Sequence, residues 1–375
     1  MKKVQVREVR SAKDRDAFLK VPWKIYADDP AWVPPLLIER RDFLSPRNPY
    51  FRHAEARFWL AERDGEPVGR ISAQIDRLVL ERYGEQGHFG MIEAVDDPEV
   101  FSALLETAEN WLRSRGMKKV LGPFNLSINQ ECGLLVKGWE SPPSFLMGHA
   151  RPYYAARLEE CGYRKAKDLL AYLMTRQPEV LERVERLIPK GSFTVKTRPI
   201  NKKRLAAELD LIFEIFNEAW AENWGFVPFT REEYLHLGQS LKYLVSSELI
   251  RIAEVEGKAV AFIVVLPNFN ELIADLNGRL WPWGWLKLLW RFRFRPPRSA
   301  RVVLMGVRKE YQQTMQGSLL VVRLIDDIRR VLLARGTQRL ELSWILEDNR
   351  RMRKLAEALA GPPYKVYRIY EKELS

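Results

Sequence analysis

Cysteine and histidine are scarce in this chain. Cys132 and Cys161 are the only cysteines, and His53, His88, His149 and His236 are scattered through 375 residues without a Cys-x-x-Cys. That excludes a disulfide scaffold and leaves no spacing suited to a structural metal, so none is expected. No run reaches the roughly 18 apolar residues that would span a bilayer, and the opening Met-Lys-Lys-Val-Gln-Val contains no apolar signal core. The expected compartment is therefore the reducing cytoplasm. Carboxylates are also short: 49 Asp and Glu stand against 61 Lys and Arg, a net +12, which favours anionic partners such as phosphate-bearing cosubstrates, acidic lipid headgroups or nucleic acid. What is present is apolar residue, 46% of the chain, enough for two cores at a length where a single core stops growing.

The chain is organised around residues 299–333. Arg301-Val-Val-Leu-Met-Gly-Val307 is a β-branched apolar run of strand length, and a polar stretch, residues 308–318, follows it. From Leu319 the period changes, with Leu320, Leu324, Ile328 and Val331 at helical spacing. This predicts a strand, a tight loop and a helix, a unit that aims backbone N–H groups and the positive end of the helix dipole at whatever lies above the strand end. Such a loop is a receptor for phosphate.

Val307-Arg-Lys-Glu-Tyr-Gln-Gln-Thr-Met-Gln-Gly-Ser-Leu-Leu320 resembles the coenzyme A pyrophosphate loop of the GCN5-related N-acyltransferase (GNAT) superfamily. Gln312 and Gly317 match the ends of that pattern, and Met315 stands where the middle glycine is usual. The order of elements along most of the chain is also the GNAT order. The resemblance implies an α/β fold with a mixed sheet, acyl-CoA or acetyl-CoA as cosubstrate, and coenzyme contacts from Val307, Gln312, Gln313, Thr314, Met315, Gln316, Gly317 and Ser318. It also implies a pantetheine contact for Asn349, which as a helix cap has a purely structural alternative. No helix-borne tyrosine stands at the family's usual position. Tyr364 is the nearest substitute as proton donor to the departing thiolate, or else a packed aromatic.

The order of elements occurs twice. Ala61-Glu-Arg-Asp-Gly-Glu-Pro-Val-Gly-Arg-Ile71 aligns with Ala253-Glu-Val-Glu-Gly-Lys-Ala-Val-Ala-Phe-Ile263, and Arg115-Gly116 aligns with Arg335-Gly336. Two GNAT-like domains in tandem are therefore expected, over residues 1–185 and 190–375, with a boundary at Pro189-Lys-Gly-Ser192. In the first copy the loop position reads Asp96-Asp-Pro-Glu99, a poor cradle for pyrophosphate because the carboxylates repel it and Pro98 offers no N–H. This copy is expected to have lost coenzyme A binding and to shape the acceptor site. Its polar stretch, residues 122–133, carries Asn125, Asn129 and Glu131, which either brace a loop or line a site. Glu131 and His149 are the candidate bases.

The second copy carries an insertion, residues 268–298. Trp281, Trp283, Trp285 and Trp290 crowd into it, and no carboxylate occurs between Asp275 and Glu310. Trp and Arg settle where hydrocarbon meets headgroups, so Trp281 to Arg295 fits a membrane surface; internal packing or single-stranded nucleic acid are alternatives, the last favoured only by the charge. Together with Trp224-Gly-Phe-Val-Pro228, Leu346-Glu-Asp-Asn-Arg-Arg-Met352 and Tyr364-Lys-Val-Tyr-Arg-Ile-Tyr-Glu-Lys372, the whole is similar to a group of bacterial two-domain GNAT-like proteins that includes ceramide synthases, which N-acylate a sphingoid base. The activity implied is acyl-CoA-dependent N-acylation of an amine, a long-chain lipid amine at the inner membrane face, with a soluble amine or protein acceptor and a non-catalytic binding role as the alternatives.

Overall fold

In the computed structural model, residues 3–176 and 195–374 are described; the boundary expected at Pro189-Lys-Gly-Ser192 lies outside the described residues. The strands in chain order are β1 (Gln5–Glu8), β2 (Ala54–Arg63), β3 (Glu66–Asp76), β4 (Gln86–Ala94), β5 (Lys119–Gly122), β6 (Phe124–Asn125), β7 (Glu131–Cys132), β8 (Leu134–Lys137), β9 (Arg164–Thr175), β10 (Lys196–Pro199), β11 (Ile250–Val255), β12 (Lys258–Pro267), β13 (Ser299–Val307), β14 (Arg339–Leu346) and β15 (Lys365–Glu373). The helices are α1 (Ala12–Ile25), α2 (Leu37–Phe43), α3 (Arg77–Tyr83), α4 (Pro98–Ser114), α5 (Tyr154–Glu160), α6 (Leu205–Trp220), α7 (Arg231–Leu241), α8 (Asn270–Ile273), α9 (Gly284–Phe294), α10 (Met315–Ala334) and α11 (Arg350–Ala360).

Two compact units emerge. Unit 1 contains Met1–Leu169, Ile273–Trp290 and Lys365–Ser375; unit 2 contains Leu170–Leu272 and Arg291–Tyr364. Within unit 1 the strand order is β1-β2-β3-β4-β5-β15. Neighbours are antiparallel except β4 and β5, which are parallel, and β8 also pairs with β15. The C-terminal strand thus completes unit 1, its Tyr370 opposite Gly122. Within unit 2 the order is β10-β11-β12-β13-β14, antiparallel except for parallel β13 and β14.

The repeat read in the sequence recurs in backbone detail. The turn of the β2–β3 hairpin has φ 55° at Asp64 and 79° at Gly65, and that of β11–β12 has 51° at Glu256 and 79° at Gly257. Two successive positive φ values give the turn whose twist matches paired strands, which is why glycine stands second in both. The register slips at Ala61/Glu62 in one hairpin and at Ala253/Glu254 in the other, the two alanines that the sequence alignment equates. Each copy then has a parallel pair bridged by a helix that buries one apolar face. In α4 that face is Val100, Phe101, Leu104, Leu105, Ala108 and Leu112; in α10 it includes Leu320, Leu324, Ile328 and Leu332.

The parallel pairs separate after a few residues. β13 and β14 are in register only from Ser299 opposite Arg339 to Val302 opposite Leu342; beyond this, β13 stays with β12 and leaves an open wedge towards β14. In unit 1, β4 and β5 are paired only from Gln86 opposite Lys119 to His88 opposite Leu121. That wedge is filled by the chain itself. The Asn125 side chain accepts from the Met91 amide at 2.8 Å, and Gln74 Nε2 donates to the Phe124 carbonyl at 2.7 Å. A Cβ on Gly90 would lie 1.8 Å from that carbonyl oxygen, so only glycine admits the segment.

Candidate active site

The head of α10 forms the centre of the site in unit 2. The helix starts at Met315, four residues before the change of period at Leu319 predicts, because Thr314 is an effective cap: its hydroxyl accepts from the Gly317 amide at 3.0 Å. Gln313 takes φ 58° to bring the chain round. A Cβ on Gly317 would meet the Tyr311 carbonyl oxygen at 2.0 Å, so this glycine permits the loop to close against the first turn. The amides of Gln313, Met315 and Gln316 have no hydrogen-bond acceptor among the described residues. They are the orphan donors of a helix start, where the dipole favours negative charge.

The other expected coenzyme ligands have settled positions. Gln312 Nε2 donates to the carbonyls of Ala219 (3.1 Å) and Val307 (3.0 Å), so that side chain braces the loop and leaves contact with a ligand to the backbone. Met315 is 77% exposed, and its side chain does not fill the crook. Asn349 accepts from the Met352 amide at 3.1 Å and caps α11. Arg351, from the same helix, reaches back to the Thr314 carbonyl at 2.8 Å and to Ser318 Oγ at 3.1 Å, placing a guanidinium beside the loop. Below lies a cavity of about 640 Å³ in the wedge. Gln312, Gln313, Gly317, Ser318, Arg350 and Arg351 border it, and Val303, Leu304, Met305, Leu342, Ile345 and Leu355 give it apolar walls. A polar, cationic mouth with unpaired amides above an apolar trough fits a cosubstrate that carries phosphate at one end and an acyl chain at the other.

Where the strands part, a buried polar chain begins. Arg301, opposite Glu341 in the ladder, donates from Nε to Ser343 Oγ at 2.7 Å; Ser343 donates to the Glu341 carboxylate, and Glu341 accepts from the Tyr364 hydroxyl. Ser343 lines the cavity. Tyr364 is thus tied to a carboxylate by its hydroxyl. The sequence reading missed Arg301, Glu341 and Ser343. The available signal was the alternation in β14: with Leu340, Leu342 and Trp344 on one face, Glu341 and Ser343 must share the other.

Glu131 and His149 belong to unit 1. Burial alone would raise the Glu131 pKa, but the Arg40 guanidinium at 3.0 Å and the Asn125 amide at 3.0 Å outweigh it and hold the carboxyl below its usual range. It is an ionised, doubly bonded carboxylate, a poor proton acceptor. His149 is different. Its Nε2 lies 2.9 Å from Asp29, its Nδ1 has no partner among the described residues, and burial outweighs Asp29 to keep the ring's pKa low, so it is neutral. Beside it the Tyr26 and Tyr154 hydroxyls donate to Glu93 at 2.6 and 2.7 Å. Burial raises the Glu93 pKa against the pull of Arg70. No sequence pattern pointed to Glu93. At the loop after β4, Asp97 caps α4 with its own carboxylate and binds Arg63 at 2.6 Å, so an acidic side chain already occupies the position of an anion. Among the described residues, no group of His, Cys, Asp and Glu is arranged to hold a metal ion.

A scan against protein-family models finds no match. Among individual proteins, the chain is 48% identical to protein YghO of Escherichia coli (strain K12) over 371 residues, 98% of this chain and 95% of the relative. It is 45% identical to the bacterial ceramide synthase of Caulobacter vibrioides (strain NA1000 / CB15N) over 378 residues, 99% of this chain and 98% of the relative. Solved structures share the fold at low identity. A tandem GNAT protein from the clavulanic acid biosynthesis pathway superposes with TM-score 0.58 at 12% identity, covering 100% of this chain and 99% of that one. A GCN5-related N-acetyltransferase from Sphaerobacter thermophilus gives 0.55 at 16%, covering 99% and 96%. With near-full-length identity of this order, the chain belongs to the family of Escherichia coli YghO and the Caulobacter bacterial ceramide synthase, and it has the fold of tandem GNAT proteins.

Proposed function

We propose that the chain transfers a long acyl group from acyl-CoA to the amine of a sphingoid-type lipid. The observation that carries this reading is the parting of β13 from β14 directly beneath the unpaired amides of Gln313, Met315 and Gln316. Those amides, with Arg351, would hold the coenzyme's phosphates, and the apolar walls of the wedge would take the acyl-bearing arm. When bound, the cosubstrate supplies an activated carbonyl and a thiolate leaving group. The chain's own residues do the rest. A backbone N–H on the 303–307 stretch of β13 steadies developing negative charge. The Tyr364 hydroxyl, oriented by Glu341, gives up a proton to the departing sulfur. Of the two candidate bases in unit 1, His149, neutral and with Nδ1 unpartnered among the described residues, is a better proton acceptor than the ionised Glu131. The name of the Caulobacter relative and the apolar cavity support a lipid acceptor.

The test is incubation of purified protein with labelled long-chain acyl-CoA and sphinganine or its 3-keto form, followed by mass spectrometry. A labelled amide is expected. Acyl-CoA binding without any amide would overturn the lipid acceptor, and absence of acyl-CoA binding would overturn the reading entirely.

A further inference from the structure

We propose that α9 and the Trp-Pro-Trp turn before it form a docking surface for a bilayer containing anionic phospholipid. Eight of the thirteen large hydrophobic residues exposed among the described residues fall between Trp281 and Phe294. Single exposed apolar side chains are ordinary; a contiguous set is not. Trp281 is 80% exposed, Trp283 74% and Leu289 61%. Trp285, Leu286 and Leu289 have the i, i+1, i+4 spacing that places them on one side of a helix.

The helix is also anchored. Lys287 pairs with Asp275, Arg291 donates to the Leu272 carbonyl at 2.7 Å, and the Phe292 ring stacks on Phe269 at 5.9 Å. The apolar face is therefore held in place, unlike that of a loose tail. At 11 residues the helix is about 16 Å long, too short to cross a bilayer, and among the described residues no helix is long and apolar enough to do so. Lying flat in the interface is the geometry left to it.

Charge selects the occupant. Arg279, Arg293, Arg295 and Arg298 are exposed along this stretch of chain, and residues 276–309 contain no carboxylate. A second copy of the chain would bring the same cationic rim against itself, and a nucleic acid would leave Leu286 and Leu289 without an apolar partner. An anionic lipid surface satisfies both features, with indoles at headgroup depth and guanidinium groups on phosphate. This inference is independent of the acyl-transfer reading.

The experiment is co-sedimentation of the purified chain with vesicles of phosphatidylcholine alone, or of phosphatidylcholine mixed with phosphatidylglycerol, at low and high salt. Binding to the anionic vesicles with a blue shift of tryptophan emission is expected. We expect Trp281→Ala/Trp283→Ala/Leu289→Ala to abolish it, and Arg279→Gln/Arg293→Gln to weaken it about tenfold or more. Circular dichroism and acyl-CoA thermal shift should remain unchanged in both variants. Equal affinity for neutral vesicles, no binding, or binding indifferent to the substitutions would overturn the proposal. So would a dimer or an oligonucleotide complex that the triple variant abolishes while vesicles go unbound. Vesicle binding without amide product removes the acyl-transfer reading and leaves the docking surface; amide product in detergent without vesicle binding does the reverse.

Discussion

At Gly317 a single methyl group is decisive. A Cβ there would stand 2.0 Å from a backbone oxygen that cannot swing away, so the crook must open. Gly317→Ala should weaken acyl-CoA binding by about tenfold or more, roughly 1.4 kcal/mol, read by calorimetry, while far-UV circular dichroism is unchanged. Tyr364→Phe removes the proposed proton donor and leaves the ring; kcat should fall about a hundredfold with KM little altered, and an equal loss in KM alone would assign Tyr364 to binding. His88 governs a pH effect in unit 1. Burial, opposed by nearby Asp76, lowers its pKa from 6.5 to about 4, with the ring 4.4 Å from that of Phe124. Above pH 6.5 neither folded nor unfolded chain protonates it. As pH falls towards 4 only the unfolded chain gains the proton, so stability should drop by about 3 kcal/mol across that window. Denaturant titration should show this slope and its loss in His88→Gln. At this scale the sequence was least informative: whether a histidine is a base or a silent core residue depends on what buries it.

Among elements, the hairpins and the strand, loop and helix of residues 299–333 were legible because their signals are local: Asp64-Gly65 and Glu256-Gly257 specify turns, and the apolar period changes after β13. The capped start of α10 was not, since the period places it at Leu319 and the Thr314 cap starts it at Met315. No atom lies within 4 Å of a Cβ built on Gly65 or Gly257. Alanine at either site should therefore cost only the positive-φ penalty, about 1 kcal/mol, and nearly the same amount in both copies. Unequal losses, measured by denaturation of the two variants, would argue against equivalent turns. The Arg301, Ser343, Glu341 and Tyr364 chain was not legible. It depends on the register of β13 against β14, and register is a tertiary property.

For the molecule as a whole, the sequence disclosed two copies of one pattern. It did not disclose that β15 completes the sheet of unit 1, because nothing local to residues 365–373 announces a partner as distant as Gly122. The division of labour we propose between the copies rests on contrast: after β13, open amides and Arg351; after β4, Asp97 and Pro98, with the wedge filled at Phe124. Hydrogen exchange with and without long-chain acyl-CoA tests that contrast most directly. Slowed exchange is expected at residues 313–316 and along 303–307, with residues 95–99 unchanged. Protection at 95–99, or ligand bound with no slowing at 313–316, would contradict it.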